Sequence, residues 1–227
     1  MEEKIMMSRE EYIEFLANKS GEISISNHNS KTGSCCNNLA FPTCTCREDA
    51  PCKASGCYCM KGRQAMCNVV AAYVRNLKIY NDDQDDFWDQ VRFKIKHNPL
   101  PLFRWFDAGD ILDYEFFCGM VELAKEFPNI RFMSFTKKYD IVNEWLATNG
   151  DLPKNLNIIF SAWHIGWKVN NPFDMPVAYV DFKDQTLNPQ FPKGITRCPN
   201  QSDKTITCSM CQKCWNKKIK SVVFKQH

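Results

Sequence analysis

The chain has 227 residues, of which 44% are hydrophobic and 24% charged, and a formal net charge of +3. A chain this long buries roughly 70% of its unfolded surface and needs no staple to hold a core, and its composition excludes disordered, collagenous and low-complexity classes. The charge is too small to imply nucleic acid by itself, and no apolar run approaches the roughly 18 residues of a membrane helix.

Residues 1–20 predict a short amphipathic helix without the apolar region of a signal peptide. Residues 23–28 alternate apolar and polar, a strand pattern. Residues 29–61 lack periodicity and hold seven cysteines together with Gly33, Pro42, Pro51 and Gly56; a connection that long is usually functional. Helical spacing returns over 62–79. A second helix follows over 82–97, with Asp82, Asp83, Asp85 and Asp86 at its dipole-favoured start. Strands are expected at 102–106, 130–135, 156–160, 176–182 and 221–224, and helices at 111–127 and 139–147. Residues 163–171 are expected to form an irregular or short helical return, and a cysteine-rich segment interrupts at 198–215. Strands alternating with helices predict βαβ units. The expected architecture is a single α/β domain, 1–227, built as a partial (β/α) barrel of about six mostly parallel strands. A doubly wound open sheet is the competing architecture, although no glycine-rich phosphate fingerprint follows any strand.

The thirteen cysteines are an odd number, so they cannot all pair within one chain. Without a secretory signal the expected compartment is a reducing cytoplasm, where clustered thiols favour metal over disulfide. Downstream, Cys198 is followed by Pro199, and Cys208, Cys211 and Cys214 form two overlapping Cys-x-x-Cys steps. Bacterial ferredoxins wrap such a run around a [4Fe–4S] cubane and add a cysteine followed by proline. Zinc is the alternative, since four thiolates also suit a closed tetrahedral site.

Upstream, Cys44, Cys46, Cys52, Cys57 and Cys59 admit two parses. Cys52, Cys57, Tyr58 and Cys59 nearly reproduce the Cys-x3-Cys-aromatic-x-Cys loop of radical S-adenosylmethionine enzymes, with both spacings off by one. The other parse takes Cys44, Cys52 and Cys57, with Tyr58 the aromatic neighbour. Cys35, Cys36 and Cys67 have no partner pattern, and Cys118 reads as a buried helical thiol.

Four stretches together resemble the bacteriophage gene-product-88 family. They are Thr43-Cys44 with Cys52 through Gly62, Arg104 through Asp110, Arg131 through Lys137, and Cys208 through Trp215 with Phe224 to His227. The resemblance implies a phage or mobile-element protein in the host cytoplasm and a shared site, without naming a reaction. It also implies Cys44, Cys52 and Cys57 as the matched upstream cysteines. Cys46 and Cys59 are then extras of this chain, and the motif is a relative of the radical-SAM pattern. One or two [4Fe–4S] clusters, with S-adenosylmethionine as a further cofactor, are the expectation that follows.

In α/β barrels functional residues sit where strands end. Arg104, Asp107, Asp110, Thr136, Lys137 and Ser161 occupy such positions and are the candidate cofactor-binding residues. Arg104 suits a carboxylate or phosphate, whereas Asp110 equally suits a helix N-cap. His227 enters only through the family ending. Two functions compete: an iron–sulfur enzyme of radical-SAM-like organisation, and a zinc-stabilised accessory protein that binds nucleic acid or a host factor. The lysines at 217, 218, 220 and 225 read as plain solubilising charge.

Overall fold

A computed structural model describes residues 7–182 and 195–226. The strands are β1 (Ile25–Ser26), β2 (Cys36–Leu39), β3 (Leu102–Trp105), β4 (Arg131–Thr136), β5 (Leu156–Ser161), β6 (Val177–Asp181), β7 (Thr196–Arg197) and β8 (Ser221–Lys225). They form one eight-stranded sheet in the order β1-β2-β3-β4-β5-β6-β8-β7. Only β1 and β2 pair antiparallel; every other pairing is parallel. The sheet is open, with β1 and β7 at its two edges, so the fold is mixed α/β and not a closed barrel.

The helices are α1 (Arg9–Ala17), α2 (Pro51–Ser55), α3 (Cys67–Asp82), α4 (Gln84–His97), α5 (Tyr114–Glu126), α6 (Tyr139–Asn149) and α7 (Cys208–Cys211). Strands β2 to β6 follow one another across the sheet, so right-handed crossovers carry their connecting helices to one face. On that face Phe103, Trp105, Phe132, Ile158 and Phe160 pack against Trp88 of α4, Phe116 of α5 and Val142 of α6. The alternate residues Leu102, Met133, Ile159, Ala178 and Val222 face the other way and pack with Trp215 and Ile219.

That second face is concave. In a flat sheet β4 and β8, three steps apart, would be separated by about 14 Å. Instead the rings of Phe135 and Phe224 meet edge to face with centroids 5.5 Å apart. The segment 198–215 crosses this concavity. Cys198 N donates to Val223 O at 3.1 Å, and Cys208 N donates to Lys31 O at 2.8 Å. Beyond Cys208 the segment is held where Asn157 Nδ2 donates to Cys214 O at 2.8 Å and Trp215 Nε1 to Phe103 O at 3.1 Å.

Several boundaries differ from expectation for local reasons. The first helix is shorter than 1–20: its described part starts after Ser8, whose capping box with Glu11 fixes the N-terminus. Strand β2 was unexpected because its centre is Asn37 and Asn38, both buried. Asn37 Nδ2 donates to Asn98 O, and Asn38 Nδ2 to Cys36 O, each at 3.0 Å. The helix expected from Ile111 begins at Tyr114, because Asp113 is the N-cap, accepting from Phe116 N at 2.7 Å. Asp113→Ala should therefore cost about 1 kcal/mol, read from urea midpoints, as N-cap losses do; an unchanged midpoint would mean the cap is dispensable.

Candidate functional site

The upstream cysteine loop lies over the C-terminal ends of β3 and β4. Local turns shape it: Thr43–Thr45 and Tyr58–Met60 are single 3-10 turns, with α2 and a left-handed Gly56 between them. Three contacts dock it. Thr45 Oγ1 accepts from Asp110 N at 3.0 Å, Tyr58 Oη donates to Asp107 O, and Cys59 Sγ lies 3.5 Å from the same carbonyl. Asp107 presents that carbonyl because the chain turns through positive φ at Phe106, +59°, and at Gly109, +80°. A bulky residue in that region is an outlier held by its surroundings, and Phe106 is fixed by burial against Phe41 and Phe116.

Among the loop thiols, Cys52 interacts with Cys57 and Cys57 with Cys59. Donation to Cys57, then burial, pushes the Cys52 thiol up. Burial pushes Cys46 up to about 12, reinforced by Asp110 and by Cys52 and Cys57. Cys44 is exposed on its turn, and among the described residues no contact ties it to the other thiols.

The polar candidates divide into two groups. Lys137 Nζ donates to Ser161 Oγ at 3.1 Å, and its charge acts on Cys46 and Cys52. Arg104 projects into the concavity, 5.9 Å from the Phe135 ring, and its charge acts on Tyr58, Cys36 and Cys208. Lys137 with Ser161 thus stands by Cys46 and Cys52, and Arg104 with Asp107 stands by Tyr58. Asp110 and Thr136 instead make a buried joint. Asp110 Oδ1 accepts from Ile111 N and Oδ2 from Lys137 N, each at 2.9 Å, and Thr136 Oγ1 accepts from Lys138 N at 2.9 Å. Burial raises the Asp110 carboxyl, and its hydrogen bonds with Thr136 and the two amides oppose that rise.

Downstream, Cys198 precedes a 3-10 turn at Pro199–Gln201, and Cys208 and Cys211 bound α7 under a Thr207 cap. Gln212 turns the chain at φ +51°, which returns Cys214 to its partners. All four cysteines line one small cavity, closed by Asn200 and Trp215. Burial raises the Cys208 thiol and pushes Cys214 up to about 12, and the neighbouring thiols act in the same direction. Among the described residues no group of three or more His, Cys, Asp or Glu side chains is placed to hold a metal ion.

Sequence reasoning missed Cys36 and Lys31. Cys36 is fully buried on β2, and burial pushes its thiol up to about 12. Neither residue carries a spacing signal, because each reaches the downstream cysteines only through the curl of the sheet. The lysines at the end of the chain are dispersed: Lys217 Nζ donates to Leu152 O and Lys220 pairs with Asp174. His227 lies outside the described residues. No described helix is long and apolar enough to cross a membrane.

No curated protein and no solved structure matches the chain. Residues 16–217 match the family described as gene product 88, a span that takes in both cysteine segments and every strand from β1 to β7. The chain therefore belongs to the gene product 88 family.

Proposed function

We propose that the chain is an iron–sulfur protein of radical-SAM-like organisation, acting in the cytoplasm of a phage's host, with one cluster at each cysteine segment. The observation that carries this reading is the convergence of Cys198, Cys208, Cys211 and Cys214 on one cavity from three separate turns. The donor set is all sulfur, which suits a cubane or zinc and no hard cation. Four ligands close the downstream centre, as a structural or electron-transfer role requires. Upstream, a three-thiolate set beside Arg104, Asp107, Lys137 and Ser161 leaves a coordination position for S-adenosylmethionine or a substrate. The singly wound strand order and the concave face support a partial barrel, whose functional end is the end that carries the upstream loop.

Protein purified without oxygen should be brown, absorb broadly near ~400 nm and contain iron and acid-labile sulfide in equal amounts. A colourless protein with stoichiometric zinc would overturn the enzyme reading and leave the accessory protein that binds nucleic acid or a host factor. S-adenosylmethionine added to the reduced protein should perturb the electron paramagnetic resonance signal of the upstream cluster. No perturbation and no binding would remove the radical-SAM reading alone.

Cys52 and Cys57 are the common members of both upstream parses, and we take Cys46, half-buried within reach of the charges of Cys52 and Cys57, as the third ligand in place of Cys44. Cys57→Ala and Cys46→Ala should each lose roughly half of the iron, the upstream share of two cubanes. Cys44→Ala and Cys59→Ala should keep nearly all of it. Iron lost from Cys44→Ala and not from Cys46→Ala would return the assignment to Cys44; loss from Cys59→Ala would restore the nearly standard aromatic parse.

A further inference from the structure

Two cations stand in the concavity beside the downstream cysteines without an ion-pair partner. Lys31 Nζ lies 5.3 Å from the centroid of the Phe224 ring, and the Arg104 guanidinium lies 5.9 Å from that of Phe135. Those two rings pack edge to face, so both charges project into one space. Arg104 is 9% exposed, and its Nε is buried with no hydrogen-bond partner. Among the described residues neither cation is within ion-pair distance of a carboxylate. Tyr58 and Asp107 act on Arg104 from the upstream side, and Cys208 and Cys36 from the concavity, all favouring the charged guanidinium. The thiols of Cys198, Cys208 and Cys214 all act on Lys31.

A cation–π contact is worth about 0.5–2 kcal/mol. That is less than the cost of burying an unpaired charge, so the two rings do not account for the two cations.

We infer that Lys31 and Arg104 are the counter-charges of a dianionic tetrathiolate centre formed by Cys198, Cys208, Cys211 and Cys214. The inference rests on the proposed downstream metal site and extends it to two residues outside the ligand set. On ligation four thiols release four protons to solvent. The four thiolates then surround a core of charge +2, either zinc or an oxidised cubane, and the sum is −2. Lys31 and Arg104 supply the matching +2. Lys31 is anchored to the ligand loop through its backbone, since Cys208 N donates to Lys31 O at 2.8 Å. Its charge is thus fixed relative to the first cysteine of α7. The same arrangement serves zinc and iron, so the inference does not depend on which metal is bound.

The test uses the full chain, purified without oxygen, as wild type, Lys31→Met, Lys31→Arg and Arg104→Gln. Each is titrated with bathophenanthroline disulfonate for iron or EDTA for zinc, and the midpoint potential is measured where a cluster is present. Lys31→Met should give up its downstream metal at about tenfold lower chelator, the scale on which partners just outside a ligand set act. Its cluster potential should move to more negative values. Lys31→Arg should restore both, which a packing role for the lysine stem would not. Arg104→Gln should move both readings in the same direction. Should that variant misfold by near-ultraviolet circular dichroism, Lys31→Met, in a half-buried loop, decides alone. Wild-type retention and potential in Lys31→Met would overturn the counter-charge role while leaving the metal site standing. A wild type whose metal content equals that of Cys214→Ala would overturn the downstream site and the inference together.

Discussion

Replacing Trp215 by alanine should lower the free energy of unfolding by about 3–5 kcal/mol, the range for losing a buried tryptophan. Trp215 is 5% exposed, follows the last downstream cysteine, and packs with Leu102, Met133, Ile159 and Val222 of four different strands. Its Nε1 also donates to Phe103 O at 3.1 Å, a bond that truncation leaves unmade at a buried carbonyl. Because Trp215 lines the cavity of the four cysteines, the metal proposed there should be lost with it. Trp215→Phe separates the two contributions: it keeps the ring burial and should cost only about 1–2 kcal/mol for the missing donor. Urea denaturation of the three proteins measures this. A Trp215→Ala cost below about 1 kcal/mol would mean that the segment 198–215 is an appendage and not part of the core.

Gly109→Ala should cost about 3 kcal/mol or more and should release the metal proposed upstream before the metal proposed downstream. Gly109 has φ +80°, where a side chain costs about 1–2 kcal/mol. A Cβ there would also stand 2.7 Å from both Phe41 O and Thr45 Oγ1. Phe41 cannot retreat, because its amide donates to Ala108 O at 3.1 Å and its ring is fully buried. Thr45 could give way only by releasing Asp110 N, one of the three contacts that dock the cysteine loop. Gly62→Ala is the control. That glycine also has positive φ, but nothing lies within 4 Å of its added Cβ, so it should cost about 1 kcal/mol and leave the metal in place. Equal losses in the two variants would show that backbone strain, and not the contact with Thr45, governs the site.

The sequence revealed most of what is periodic. The helices α3 to α6 and the strands β3, β4, β5, β6 and β8 were all legible, because their apolar residues repeat at the spacing of the element that buries them. Strand β2 was not, because an Asn-Asn pair buried by side-chain bonds to distant carbonyls looks like loop. Asp110 showed how a local rule loses to a tertiary one. It sits in a cap-like position, yet its carboxylate is taken by the amides of Ile111 and Lys137, and Asp113 caps the helix instead. For the site, ligand spacing was enough to pick out the four downstream cysteines that line one cavity. Lys31, through its bond to Cys208 N, and Cys36, packed with Cys208 and Cys214, reach the downstream segment from other parts of the chain, and no local pattern announces a long-range neighbour. The same holds for Cys44 and Cys46: two cysteines two residues apart are equivalent in sequence, and only the turn between them exposes one and half-buries the other.

The crossing of the concavity by the segment 198–215 also sets an order of events during biosynthesis. Its seat includes the contact of Ser209 with Thr32, 177 positions apart, alongside the bond of Cys208 to Lys31. Contacts of that separation form late and slow folding, because the intervening chain must first be ordered. The strands β2 to β6 can pair in sequence as the chain emerges, each beside the one before it. The concave face, however, stays uncovered, with Leu102, Met133 and Ile159 open to solvent, until residues 198–215 have left the ribosome. The upstream cysteines are in place early and the downstream cavity is completed last, so the two sites mature at different times in the life of one polypeptide.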